Sequence, residues 1–384
     1  MYLSTAYNRL VRERLQPLVD SKIASASACV RMFKTDSLGM RNCSSESFSH
    51  RPLLRVSIQI RGENMKQSTA YKESHHVNSR PSPLSHRSHF KFGYNGSWFS
   101  DRTTSTDEWC VSYGKCEWQP SDWRTECIRT ARLIRDDTDR DLWVLFSGGL
   151  DSEVVVQSFL FAGIPINVAI ARFAHQLNRH DMIYAIRFCE MHGVPYRCLD
   201  IDIAAFFGSG QAWGYAERTK CVQPQLLHTM WAMDQVQGYP ILGSGECYLV
   251  RRAAEEGKAP DGSLLWDMYE KERIASWYRH LMITERGGCA GFFQYNPENM
   301  LAFLRDPLVV DLCANRLPQH SSTMQLKEVV YRKYFLLERR KKYHGFENVM
   351  HLDDRLRPQL EEAFGAHNGV VRTAYPDLME MLSP

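Results

Sequence analysis

The chain has 384 residues, 44% of them hydrophobic, with 47 Lys and Arg against 44 Asp and Glu. That length buries a full core in one large domain or two smaller ones, while the lack of any apolar run of membrane-spanning length argues against a helical membrane protein. None of the 11 cysteines forms a Cys-x-x-Cys pair, which excludes a zinc knuckle, and an odd count without an export signal points to reduced thiols in a cytoplasmic protein.

The charge is uneven: residues 1–99 hold 15 Lys and Arg against 6 Asp and Glu, the remainder 32 against 38. Residues 1–89 are rich in Ser, Arg and His, and their short apolar clusters never settle into a period, so they read as a basic segment with little stable structure. Such an arm suits nucleic acid as well as plain solvation. Arg9, Arg12, Arg14 and Lys22 give it a trace of a mitochondrial leader, opposed by Glu13 and Asp20, and Met65 is an alternative natural start. His75, His76, His86 and His89 lack partners at ligand spacing and read as part of a polar tail.

Order is expected from Phe90. Residues 90–140 pack Phe92, Tyr94, Trp98, Trp109 and Trp118 between turn residues, which suggests a small antiparallel β element, with Asn95-Gly96 as a hairpin turn. Ser121 to Ile134 has helical spacing and a capping Ser121 or Asp122. A charged connector then leads into Leu142-Trp143-Val144-Leu145-Phe146, an apolar strand that stops abruptly at Ser147-Gly148-Gly149-Leu150-Asp151-Ser152.

That stop reads as a phosphate loop. Glycines let the backbone approach an anion, and a helix beginning just after would aim its free N–H groups and positive dipole end at it. Ser147 and Ser152 add hydroxyl donors, and Asp151 is placed to hold a metal ion bridging phosphate oxygens. The Gly-x-x-x-x-Gly-Lys-Ser/Thr loop is absent, so γ-phosphoryl transfer is not the favoured chemistry.

A helix over Glu153–Phe161, a strand at Ile166–Ala171, a helix over Asn178–Met191 and a strand over Tyr196–Ile203 come next. Strand alternating with helix predicts a parallel doubly wound sheet, with ligands beyond the strand C-termini. A helix over Gln225–Gln237 then feeds Tyr239–Leu242 and a second glycine loop, Gly243-Ser244-Gly245-Glu246. Residues 254–320 read as mainly helical, and residues 351–384 as a polar C-terminal tail. Between them, Leu326 to Phe335 precedes Glu338-Arg339-Arg340-Lys341-Lys342-Tyr343-His344-Gly345-Phe346.

The Ser-Gly-Gly-Leu-Asp-Ser loop resembles the pyrophosphate loop of the N-type ATP pyrophosphatases, which split ATP between its α and β phosphates. The likeness is nearest to the synthetase domain of asparagine synthetase-like enzymes and spans roughly residues 141–350. It implies an α/β fold of the adenine nucleotide α-hydrolase type, with a small N-terminal β element and a helical C-terminal part. ATP and Mg²⁺ are implied as cofactors, with Ser147, Gly148, Gly149, Leu150 and Ser152 at the nucleotide and Asp151 on the metal. Lack of paired cysteines disfavours the thiol-dependent branch.

The second loop resembles Gly-Glu-Gly-x-Asp-Glu, reduced here to Gly243, Gly245 and Glu246 followed by Cys247; Glu246 is either a second metal ligand or a general base. The C-terminal segment resembles one in which an Arg-x-Lys faces the phosphates, matched by Arg340 and Lys342 with Lys341 as the alternative. Tyr2 stands where the glutaminase cysteine of asparagine synthetases follows Met1. The resemblance therefore implies an AMP-forming ligase without its own glutaminase, acting on a small molecule with a carboxylate or carbonyl oxygen and taking ammonia from solution or a separate donor. Two alternatives stand beside it: adenylation of a nucleobase in tRNA or DNA, and a nucleotide-binding regulatory protein without turnover.

Overall fold

The computed structural model describes residues 90–251, 264–316, 326–341 and 345–384. The basic segment 1–89, with its leader-like stretch and its histidines, lies outside the described residues.

Asn95 and Gly96 adopt φ values of 52° and 78°, the two left-handed positions of a two-residue hairpin turn between β1 (Lys91–Tyr94) and β2 (Ser97–Trp98). With β3 (Trp109–Ser112) they form an antiparallel sheet of order β2-β1-β3. Helix α1 (Trp123–Asp136) comes after it, and the Asp122 carboxylate caps it by accepting from the Thr125 amide at 3.1 Å.

The central sheet is built as its alternation predicts. In chain order come β4 (Leu142–Leu145), α2 (Leu150–Ala162), β5 (Asn167–Phe173), α3 (Arg179–His192) and β6 (Tyr196–Ile201). Helices α4 (Ile203–Gly208), α5 (Gln211–Thr219) and α6 (Leu227–Gln235) then return the chain to β7 (Tyr239–Leu242). All four strands are parallel and ordered β6-β5-β4-β7. Winding runs outward from β4 one way and then the other, so the direction reverses between β4 and β7 and opens a crevice at their C-terminal ends.

Strand periodicity covers both faces of this sheet. Trp143, Leu145, Ala169 and Leu199 pack with Trp231, Ala232 and Val236 in a cluster of their own. Val144, Val168 and Ile170 belong to the main core with Val154, Val155, Val156 and Phe159 of α2. The Val154–Val156 run disfavours a helix by propensity, yet each of these valines is fully buried, and burial of that size outweighs a few tenths of a kcal/mol per residue.

Among the described residues, the stretch read as mainly helical has α7 (Arg273–Ile283), α8 (Pro297–Leu304), α9 (Pro307–Asp311) and a π-helical turn (Leu312–Arg316). It adds a strand, β9 (Leu264–Tyr269), which pairs antiparallel with β8 (Val250–Arg251) and with β10 (Val370–Ala374). One expectation is corrected: 351–384 is not a polar tail, since α10 (Met350–Phe364), β10 and α11 (Tyr375–Leu382) are folded, with Leu360, Leu378 and Leu382 buried. Their apolar residues are interspersed with charged ones, and pairing of β10 with β9 gives the segment a place in the fold. Among the described residues no helix is long and apolar enough to cross a membrane.

Candidate active site at the sheet crevice

The chain leaves β4 at Phe146 and turns through Gly148, whose φ is +98°. A Cβ there would stand 2.2 Å from the Asp181 carbonyl oxygen, so the position admits only glycine. Helix α2 starts at once, with Gly149 as its N-cap and no side chain capping it. Its first-turn amides are thus left as donors for a ligand, at the positive end of a 13-residue helix. Ser147 Oγ accepts from the Gly149 amide at 3.2 Å and lies 3.2 Å from Ser152 Oγ, so both hydroxyls line the same concavity. All six residues of the expected loop come together.

The loop after β7 is pressed against this one. A Cβ on Gly243 would come within 2.6 Å of Ser152 Cα, so the two loops touch backbone to backbone. Gly245, at φ +89°, turns the chain so that Glu246 faces Asp151 across the crevice. Between the loops is a cavity of about 150 Å³ whose walls include Ser147, Ser152, Gly243, Ser244 and His228. A smaller one, about 60 Å³, lies on the far side of Glu246 with Asp267, Glu272, Arg273 and Gln294. His228 is half-buried, and desolvation lowers its pKa to about 4 against a hydrogen bond to the Gln225 backbone, so it lines the larger cavity as a neutral imidazole.

A lysine that the sequence did not single out joins the loops. Lys327 Nζ donates to Asp151 and, at 3.1 Å, to Glu246 Oε1, and Tyr331 Oη donates to Asp151 Oδ1 at 2.8 Å. Both side chains project from one turn of π-helix (Lys327–Tyr331), a geometry that recurs at functional sites. Burial drives the Asp151 carboxyl upward and Glu246 adds repulsion, against the pull of Lys327. For Glu246 burial also opposes ionisation, but Lys327 and Arg273 outweigh it and hold the group below the usual carboxylate range. The lysine stays charged, since its two carboxylates overcome the cost of burial.

Two carboxylates and one ammonium thus stand together beside the uncapped N-terminus of α2. Among the described residues no group of three or more His, Cys, Asp or Glu side chains converges on a point that could hold a metal ion. An all-protein cage therefore does not fit, whereas Mg²⁺ does, because it is commonly held by one or two carboxylates together with substrate phosphates.

Arg340 lies against the loop after β4. Its guanidinium is buried beneath the loop, donating to the Gly148 carbonyl and to Glu153 and lying over the Tyr184 ring at 4.7 Å. Those contacts make it a clasp on the loop. Lys341 is exposed, and Lys342 lies outside the described residues. Phe346 is fully buried, edge-on to Phe173 at 5.5 Å, and anchors the end of this segment. A hint of Lys327 was present in the sequence: it stands four residues before Tyr331 between the apolar Leu326 and Val330, where a lysine needs a buried partner.

No family model matches the chain, and no curated protein matches it. Among solved structures it is similar to the NMN synthetase from Francisella tularensis, at 14% identity over 64% of this chain and 97% of that one, with a TM-score of 0.25. It is also similar to an NH3-dependent NAD synthetase from Campylobacter jejuni, at 13% identity over 64% and 95% of the two chains, with a TM-score of 0.28. Scores of that size say nothing about which reaction this chain performs.

Proposed function

We propose that the chain is an ATP-dependent, AMP-forming ligase that adenylates a carboxylate or carbonyl oxygen of a small molecule and releases pyrophosphate, in the manner of the asparagine synthetase-like ATP pyrophosphatases. The observation that carries this reading is the Lys327 bridge between Asp151, at the mouth of the phosphate loop, and Glu246 of the facing loop. It gathers an anion-binding helix end, two metal-competent carboxylates and a fixed ammonium into one crevice.

In the reading, the amides of α2 and the hydroxyls of Ser147 and Ser152 hold the phosphate chain. A substrate oxygen attacks the α phosphorus, the bond to the β-phosphate oxygen breaks, and pyrophosphate departs. Lys327 is placed to offset the charge that builds on the leaving group. Ammonia or another amine then attacks the adenylated carbon, loses a proton, and displaces AMP. Bound Mg²⁺ would neutralise the phosphates, with Asp151 and Glu246 as the chain's ligands. Residues 1–99, with 15 cations against 6 carboxylates, support a second reading in which the acceptor is a nucleobase of tRNA or DNA. The setting is cytoplasmic in either case.

Purified protein incubated with labelled ATP, Mg²⁺ and separate pools of carboxylates, ammonia and RNA should release AMP and pyrophosphate, at a rate that falls at least a thousandfold with Asp151→Ala. Formation of ADP would overturn the chemistry, and a rate driven only by RNA would select the second reading.

A further inference from the structure

A separate cavity of about 520 Å³ lies among the β1–β3 sheet, the last turns of α5 and α10, and α7. It shares no lining residue with either cavity of the crevice, and its volume is that of a small-molecule site. Its walls carry Arg102, Arg218, Lys220, Lys271 and Arg279 against only two carboxylates, Asp101 and Glu270.

Neither carboxylate balances the buried cations. Glu270 is already engaged, accepting from Tyr94 Oη at 2.5 Å, from Arg102 at 2.9 Å and from the Gly369 amide at 2.8 Å. Asp101 is 87% exposed and comes no nearer than 4.0 Å to Arg279. Lys271 and Arg279 are 7% and 5% exposed, and they donate mainly to uncharged oxygens. Lys271 Nζ donates to the Phe364 and Ala366 carbonyls at 2.5 Å each, and Arg279 to the Thr219 and Glu270 carbonyls at 3.2 and 3.3 Å. One hydrogen of the Lys271 ammonium remains for a ligand. At the rim, Arg218 and Lys220 are exposed and lie over the rings of Tyr215 and Phe364, at 4.7 and 5.1 Å.

Burying cations with too few anions is unfavourable unless something else supplies the negative charge. Burial lowers the Lys271 pKa; Glu270 raises it, but Arg102, Arg279 and Lys220 push it down again. We propose that this cavity is a binding site for a small polyanion carrying two or more phosphate or carboxylate groups. The rim cations capture it, and Lys271 and Arg279 meet it at the floor, where desolvation strengthens each charged hydrogen bond.

The test uses the full chain and inorganic tripolyphosphate, titrated calorimetrically with citrate in a parallel arm to separate phosphate from carboxylate chemistry. Expected is saturable binding that weakens at least tenfold in Arg218→Ala/Lys220→Ala and persists in Arg340→Ala, which disturbs the phosphate loop instead. Acylation footprinting reports the location independently: tripolyphosphate should protect Lys220 and Lys271 from an amine-reactive ester. Binding that is unchanged in the double variant, binding lost only in Arg340→Ala, or absence of protection at both lysines would each overturn the proposal.

Discussion

The two glycine loops at the sheet edge share an architecture, a parallel strand ending in a turn through glycine, but differ in the groups they present. The loop after β4 offers backbone amides and hydroxyls at the start of a long helix, a surface made for an anion. The loop after β7 has no such helix behind it and offers the carboxylate of Glu246. The first is also clasped from below by a buried arginine, whereas the second is positioned by its contact with the first. Similar turns acquire different chemistry from the element that each one leads into, and Lys327 converts the pair into a single site.

Breaking that link should have the largest effect. Lys327→Met is expected to lower kcat for AMP release by a factor of about 10²–10³ while nucleotide affinity changes only a few-fold, as for loss of a charge stabiliser. Single-turnover kinetics beside equilibrium nucleotide binding would separate the two, and a kcat within tenfold of wild type would mean that the loops act independently. Next comes the anion loop's own geometry. Gly148→Ala places a Cβ against a fixed carbonyl at φ +98° and should cost about 3 kcal/mol, whereas Gly149→Ala, whose nearest atom is Ser147 Oγ at 3.3 Å, should cost under about 1 kcal/mol. Chemical denaturation of the two variants reads this contrast directly.

The smallest effect concerns the support beneath the loop. Burial, and then repulsion from Glu347, raise the Asp181 pKa to about 7, against the pull of His180 and Arg340. The folded chain therefore keeps a proton that the unfolded chain releases above its ordinary value of 3.8, so this group's contribution to stability declines as pH rises from about 4 to 7. Asp181→Asn should remove that decline, gaining on the order of 2 kcal/mol relative to wild type between pH 5 and 7. Equal denaturation midpoint shifts at the two pH values would show that Asp181 does not titrate in this range.

The glycine turn between β4 and α2 was legible in the sequence because its geometry is local: six consecutive residues, the strand before and the helix after carry all of it. The alternation from Leu142 to Leu242 was legible for the same reason. Lys327 was not, because its partners stand 176 and 81 residues away and no spacing rule joins them. For Arg340 the residue was legible but not its protein partners, the Gly148 carbonyl and Glu153, which stand 192 and 187 residues away. Strand β9 and the segment beyond 350 escaped because β9 is a six-residue apolar run without clean alternation and its partner β10 stands about a hundred residues away, so that the two become recognisable only through pairing with each other.

The clasp also fixes an order of events during synthesis. Arg340 reaches back across 192 residues to the Gly148 carbonyl, and β10 reaches back from still further to close on β9. While the amino-terminal part of a chain emerges and begins to fold, the strands flanking the crevice are present but the clasp is not. The buried support of the glycine turn thus arrives only once residue 340 has been made, and a chain that stalls before it carries the loop sequence without that support.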